Sequence, residues 1–426
     1  MSSSESRHGK AVQFGDLILQ FTSQYEYRWN TIGGDAYAHS AFYHPIPPEG
    51  FYPLGSIGRS NLDDPNGKCV SICVKSVTEH SSKPALREPE DYELVWNDRK
   101  SNAASNGACW RPKPPDGYVA LGDVFSSGYE KPKKLDVMCV AIELAAEGCI
   151  SKSSIWTTDG SNALCFSAWQ IIASEAYLRD TSDGLFEVNS FTGSTKPDFA
   201  APNSSPVAYT LRLPMPTEVV EAEIIKPKLS SRTRPAGRTA QVVDRIVTVP
   251  FTAILDPDKD LNWQLEHSPF YDIERSVSYK LLIFEDNGTE VDQTQTLVTS
   301  TGITTESSRT FSLTTGISVS YESGIELGIG SSKVTAQLSI DLGYSSTTSV
   351  STFDLREEDV ELTIPANHAA AVWSEVNTIR LWRSDNTPVG PLLEFERGNT
   401  AFLTSQYPAP KAGTAIRYRR IRRKLR

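Results

Sequence analysis

Glu322, Glu326 and Asp341 recur on one face of a stretch in which wet and oily residues alternate. Successive side chains of an extended chain point to opposite sides. Residues 317–329 and 334–344 therefore read as two strands joined by the polar turn Gly330-Ser331-Ser332-Lys333. Ser318, Ser320, Glu322 and Glu326 share the wet side of the first arm, and Thr335, Gln337, Ser339 and Asp341 that of the second. The oily side carries Ile317, Val319, Tyr321, Ile325, Leu327 and Ile329, then Val334, Ala336, Leu338, Ile340 and Leu342. Each arm has roughly the 9–11 residues that a tilted strand needs to cross a bilayer. The chemistry of such a face is ion passage, because carboxylates repeated around a ring of subunits attract cations and repel anions. The spacing predicts an insertion hairpin near 311–350, with wet residues lining a cation-selective pore and oily residues facing lipid.

Any half-buried antiparallel strand alternates in the same way, so composition has to separate the two readings. About half of residues 299–352 are Ser or Thr, and charge there is sparse. Soluble edge strands are usually guarded by Lys, Pro or inward charge. A segment that must leave its sheet and later face water inside a pore needs side chains that tolerate both settings, and Ser and Thr do so at little desolvation cost.

Catalytic chemistry finds no footing. The six histidines are scattered, with no G-x-S-x-G elbow, phosphate-cradling glycine loop or local Cys/His pairing. No cysteine or histidine spacing suits zinc. Asp256-Pro257-Asp258-Lys259-Asp260-Leu261-Asn262 resembles a calcium loop, yet it lacks the sixth-position glycine and has His267 at position twelve. An acidic turn is expected there, and neither enzyme activity, metal nor cofactor is expected anywhere. Cys69 and Cys73 lie four apart along one strand, a poor geometry for bridging each other, so the six cysteines read mainly as buried free thiols. Asn203 and Asn287 begin glycosylation sequons that matter only on a eukaryotic secretory route.

The 426 residues suffice for two or three domains, and 39% hydrophobic with 22% charged residues is a soluble globular composition. No apolar run reaches the ~18–20 residues of a spanning helix. The first ten residues lack the apolar core of a secretory signal, so an exported protein is expected to use another route or to have lost its leader. The net charge of −10 conceals a basic terminus: residues 417–426 hold seven Lys or Arg and no acid, leaving the remainder at −17. That balance argues against nucleic acid as the main partner. The tail itself reads as a solvated end, an anionic-membrane contact, a nucleic-acid arm or a removable extension.

The first half repeats itself. Trp29-Asn30-Thr31, Trp96-Asn97-Asp98 and Trp156-Thr157-Thr158 each precede another aromatic, Tyr43, Trp110 or Trp169, by 13 or 14 residues. His44-Pro45-Ile46-Pro47-Pro48-Glu49-Gly50 recurs 67 residues later as Arg111-Pro112-Lys113-Pro114-Pro115-Asp116-Gly117. Three strand-rich units imply a pseudo-threefold β-prism. The tryptophans are expected to fill its centre, the alternative being a sugar-stacking face. Val95-Trp96-Asn97-Asp98, Trp110-Arg111-Pro112, Pro114-Pro115-x-Gly117-Tyr118 and Leu121-Gly122-Asp123-Val124 together resemble the vacuolar protein sorting-associated protein 62 family over roughly 10–212. That resemblance implies an all-β domain and carries no catalytic residues.

Residues 213–241, with Lys226-Pro227-Lys228 and Ser230-Ser231-Arg232-Thr233-Arg234-Pro235-Ala236-Gly237-Arg238, read as a mobile linker. Arg232, Arg234 and Arg238 are its candidate activation-cleavage sites. From Val242 onward the order of a Ser/Thr-rich strand at 299–315, the alternating hairpin, a polar return at 345–352 and Val360-Glu361-Leu362-Thr363-Ile364-Pro365 resembles the aerolysin-like β-pore-forming proteins, in particular the epsilon-toxin and mosquitocidal-toxin branch. The resemblance implies that the hairpin inserts.

The expectation is an all-β protein in three parts: a prism-like recognition domain at 1–212, the linker, and an elongated aerolysin-like module at 242–426 with a basic tail. Its expected partners are a target-cell membrane bearing a glycan, lipid or protein receptor, and further copies of itself. The alternative is a non-lytic carbohydrate- or membrane-surface-binding or trafficking protein.

Overall fold

The computed structural model describes residues 7–78, 83–161, 163–174, 183–195, 208–320, 323–328, 333–344, 352–398, 401–410 and 416–423. The strands of each sequence repeat pair as an antiparallel three-strand unit, the first two units forming separate sheets and the third belonging to a nine-stranded sheet that continues to residues 318–337. The first joins Tyr25–Asn30, Ala41–Pro45 and Ile57–Arg59. The second joins Asp91–Asn97, Gly107–Lys113 and Val124–Ser127, and the third Trp156–Thr157, Ser167–Ile172 and Phe191–Ser194. Their inner faces meet on Trp29, Trp96 and Trp156, whose rings lie 5.4, 5.4 and 5.7 Å apart. Phe42, Phe125, Phe166 and Phe191 complete that core.

Buried indole N–H groups need acceptors, and here each repeat supplies one to its neighbour. Trp29 donates to the Ser105 carbonyl at 3.0 Å, Trp96 to Leu164 at 2.9 Å and Trp156 to Ala38 at 3.0 Å. The three repeats thus close a ring of bonds, and the tryptophans are core residues. The repeated Leu-Gly phrase has a packing reason too: a Cβ on Gly122 would lie 2.5 Å from that of Ser190, so only glycine allows the repeats to approach so closely.

The C-terminal module is built on two long antiparallel strands, Phe270–Asp286 and Ala369–Arg383. At ~3.3 Å per residue the longer spans about 55 Å, which makes the module elongated. Val242–Pro250 flanks one side and Pro388–Glu396 the other, with Leu403–Tyr407 extending the edge. A second sheet orders Gln293–Thr301, Arg356–Ile364 and Arg417–Arg423. The two modules share one apolar core, where Phe14 meets Phe186 and Phe270 at 5.4 and 5.9 Å and Phe21 meets Phe251 at 5.0 Å.

Residues 213–241 differ from the expected mobile linker. Thr217–Val219 adds a strand to Val242–Pro250, and the remainder is strapped across the long sheet. Leu281 N–H donates to Gly237 and Thr239 N–H to Tyr279, while Leu229 is buried against Trp373. Backbone donors satisfied this way hold the strap in place despite its proline-rich sequence.

The thiols also divide differently. Cys73, Cys109 and Cys139 are buried, but Cys149 and Cys165 are exposed. Burial pushes the Cys73 thiol up to about 12.

Candidate functional site

Residues 317–344 keep the expected two-faced character but not the expected two strands. The first arm folds back on itself: Ser318–Ser320 pairs with Gly324–Leu327, Ser318 opposite Glu326 and Ser320 opposite Gly324. Gly324–Leu327 then pairs with Val334–Gln337. Gly324 and Gly328 adopt φ of +81° and +107°, backbone that side chains disfavour, and these glycines break the continuous strand. A single long arm would leave its apolar side uncovered, whereas the three-stranded meander buries Ile317, Val319, Ile325, Leu327, Val334 and Ala336 together. Tyr321, Glu322 and Ile329 lie outside the described residues.

The second arm ends as a strand at Gln337. Leu342 N–H then donates to Leu338 and Tyr344 N–H to Ser339, closing a compact turn. Leu338 and Leu342 are buried, but Ile340 is 52% exposed, so alternation stops where the turn begins. The wet residues Ser318, Ser320, Glu326, Thr335, Gln337 and Asp341 are half-buried, while Ser339 is buried. Gln337 donates to Glu326 at 3.1 Å, and Ser339 Oγ accepts from the Ile325 N–H at 2.9 Å.

The expected polar strand at 299–315 is also corrected. Gln293–Thr301 is a strand, but Thr305–Thr315 is a helix. Thr304 caps its start by accepting from Ser307 N–H at 3.1 Å, and Gly316, at φ +75°, ends it. Phe311 is buried. Capping and one apolar anchor outweigh the weak helix propensity of Ser and Thr. The polar return at 345–351 lies outside the described residues.

One anchor of the segment is Tyr344. Tyr344 is buried between Arg275 and Arg397, 5.0 and 5.8 Å from its ring, and donates to Asn377 at 3.0 Å. Burial raises its phenol well above the ordinary range. Asp341 Oδ1 accepts weakly from Thr217 at 3.4 Å, and its Oδ2 is buried without a partner among the described residues. Burial foremost, with Asp183 nearby, raises this carboxyl to about 6.

Gln293–Thr301 and Arg356–Ile364 pair in unbroken register, Gln293 opposite Ile364 through Thr301 opposite Arg356. They are the arms of one long hairpin whose loop contains the helix and the meander. The outer edge of Arg356–Ile364 is closed by the basic tail, with Arg417 opposite Thr363 and Arg423 opposite Glu357. Arg420 forks onto the fully buried Glu358, its Nη2 donating at 2.6 Å, and reaches the Gly398 carbonyl at 2.9 Å. Residues 417–423 are therefore an ordered edge strand.

The proposed cleavage residues Arg232, Arg234 and Arg238 are all exposed; Arg232 pairs with Asp286 at 2.7 Å and Arg238 with Glu394 at 2.9 Å. The calcium-like loop is an acidic turn: Asp256 binds Arg383 at 2.7 Å, and Asp260 caps the helix Leu261–His267. Asn287 is buried, its Nδ2 donating to Val291, Ile364 and Pro365, so this sequon is structural; Asn203 lies outside the described residues. No cluster of potential metal ligands occurs among the described residues. A groove of about 700 Å³ contains Arg7, His8, Asp272 and Glu274, in which His8 meets Asp272 at 2.6 Å and Arg7 reaches both acids. It joins the N-terminal segment to the long sheet. Sequence reading missed the Tyr344 clamp, since Arg275 and Arg397 are remote in sequence. Charge opposition between residues 356–361 and the basic tail was a legible signal for their pairing.

No described helix is long and apolar enough to cross a membrane. Residues 2–201 match the family model of vacuolar protein sorting-associated protein 62, and residues 243–392 match that of Insecticidal Crystal Toxin, P42. No curated protein matches. Among solved structures, GNIP1Aa from Chromobacterium piscinae is 25% identical, with a TM-score of 0.38 over 46% of this chain and 37% of that one. This chain thus spans well under half of GNIP1Aa. Cry35Ab1 is 13% identical, with a TM-score of 0.36 over 93% of this chain and 91% of that one. The second half of the chain is similar to an insecticidal crystal toxin family, and this level of likeness does not single out the epsilon-toxin and mosquitocidal-toxin branch.

Proposed function

We propose that this chain is a β-pore-forming, toxin-like protein that acts by assembly and insertion and carries out no catalytic step. Its prism recognises a target-cell surface through a glycan, lipid or protein receptor. Copies then associate, and residues 302–355 extend from the paired arms Gln293–Thr301 and Arg356–Ile364 to line a cation-selective pore. One observation carries this reading: a two-faced segment, rich in Ser and Thr, is folded compactly in the loop of an already paired long hairpin. Extension needs no change of partner between the arms, only unpacking of the helix and meander. The toxin family match supports it and makes insect cells the first target to assay.

A barrel also needs each subunit to offer both hairpin edges to neighbours. The edge of Arg356–Ile364 is occupied by Arg417–Arg423, so the basic strand is a brake on assembly. Cleavage at Arg232 or Arg238 is the second candidate trigger, and Arg234 the least favourable, because Pro235 follows it and hinders trypsin-like hydrolysis. The protein is proposed to act outside the cell that makes it.

Dye release from liposomes and cells tests the whole reading. Concentration-dependent release with ring-sized oligomers in the membrane is expected. Binding without release would instead establish the non-lytic alternative.

A further inference from the structure

The strand Asp183–Phe186 lies between partners from different halves of the molecule. On one side it pairs with Ala208–Pro214 of its own module, Asp183 opposite Pro214 and Phe186 opposite Leu211. On the other it pairs with Val334–Gln337, Leu185 opposite Thr335 and Phe186 opposite Val334. The ladder continues by one bond, from Glu187 N–H to the Lys333 carbonyl at 2.8 Å. The side chains then close it, Lys333 Nζ to Glu187 Oε2 at 3.2 Å. Glu187 is positioned in turn by accepting the Ala173 N–H at 3.0 Å. Phe186, Val334 and Ala336 are buried in one apolar core on one face of the ladder, and Leu185 is buried on the other.

The order of strands makes this contact decisive. In the shared sheet, Val334–Gln337, Gly324–Leu327 and Ser318–Ser320 are the last three strands, and all of them hang on Asp183–Phe186. Parting one ladder therefore frees the whole meander from the prism without breaking any pairing within it. That ladder has only two register pairs, and short, locally held elements open at far less cost than the whole fold. Beyond the two register pairs, Asp183 turns to Arg212 of its own module at 2.9 Å.

We infer that Asp183–Phe186 is a latch through which the recognition module holds the insertion segment closed, and that separation of this strand from Val334–Gln337 is the first step of release. The consequence for membranes rests on the pore-forming reading, but the latch itself is measurable in solution.

The first test is a charge exchange in the full chain. Lys333→Glu and Glu187→Lys each place like charges across the ladder end, and the double exchange restores attraction. Hydrogen exchange of the Val334–Gln337 amides, without membrane, should be about five-fold faster in each single variant and near the parent rate in the double. Equal rates in all four proteins overturn the latch. A second test bridges the ladder with Leu185→Cys and Thr335→Cys. The oxidised protein should bind cells as the oxidised parent does, release dye at least ten-fold more slowly, and recover on reduction. Parental release by the bridged protein overturns the latch and leaves pore formation standing. If the parent itself releases no dye, the pore-forming reading fails, and the exchange series alone decides the latch.

Discussion

Arg420 reaches from the last described strand to clasp Glu358, a carboxylate with no solvent exposure, and so fastens the basic tail to the acidic strand Arg356–Ile364. The surrounding register places Arg419 opposite Glu361 and Arg423 opposite Glu357. The tail's charge is thereby matched to the strand it covers.

Removing one partner of a buried ion pair leaves the other uncompensated, a cost of about 3–5 kcal/mol. Arg420→Ala should therefore detach the edge strand locally and permit oligomers on liposomes without protease treatment. Sedimentation and thermal unfolding check both halves of this expectation. A variant whose tail is released, as shown by hydrogen exchange at residues 417–423, but which stays monomeric on membranes removes the brake from the mechanism.

Trp96→Phe deletes one indole N–H from the ring of bonds and leaves the Leu164 carbonyl without that donor. The loss of a buried bond together with ring volume should cost about 2 kcal/mol. Chemical denaturation followed by tryptophan fluorescence measures it. Cell-surface binding by the still-folded variant should match the parent, whereas a sugar-stacking role would weaken binding at unchanged stability.

Asp341 brings a pH dependence with a definite sign. Its carboxyl titrates near 6 in the folded protein against 3.8 in its ordinary state. Between those values the folded protein holds more protons than the unfolded chain, so stability falls as pH rises through about 4 to 6 and stays reduced above. With its partial exposure discounted, the effect is about 1 kcal/mol. Asp341→Asn should flatten this window and slow amide exchange at residues 333–344 at pH 7.5. An unchanged pH profile in the variant contradicts the assignment.

Ion choice follows from the wet face. Glu326 lies there beside Gln337, and alternation places Glu322 on the same side. Glu322→Gln with Glu326→Gln should weaken cation selectivity while binding and assembly persist. Reversal potentials across planar bilayers under a salt gradient decide it, and anion selectivity in the parent would reverse the assigned facing.

The shared core also changes what can be expected of a fragment. Residues 1–212 alone would uncover Phe14 and Phe186, which pack against the C-terminal module, and the free edge of Asp183–Phe186. Such a fragment should self-associate, unlike the intact chain, by light scattering.

Local pattern and repetition determined much of this protein from sequence alone. Alternation marked which residues of 317–344 would be oily, because burial on one face needs only period two, whatever the strands pair with. The Trp and Pro-Pro-Gly phrases revealed three equivalent units, since equivalent positions in a pseudo-threefold prism face equivalent neighbours. Tertiary structure decided what those strands pair with. Glycine conformations at Gly324 and Gly328 turned one expected arm into two strands, and capping by Thr304 and Gly316 turned a polar strand into a helix. The Asp183–Phe186 contact with Val334–Gln337 joins residues about 150 positions apart in sequence. Nothing in either short strand names its partner, because backbone hydrogen bonds are the same for every residue and only the surrounding core selects which edges meet.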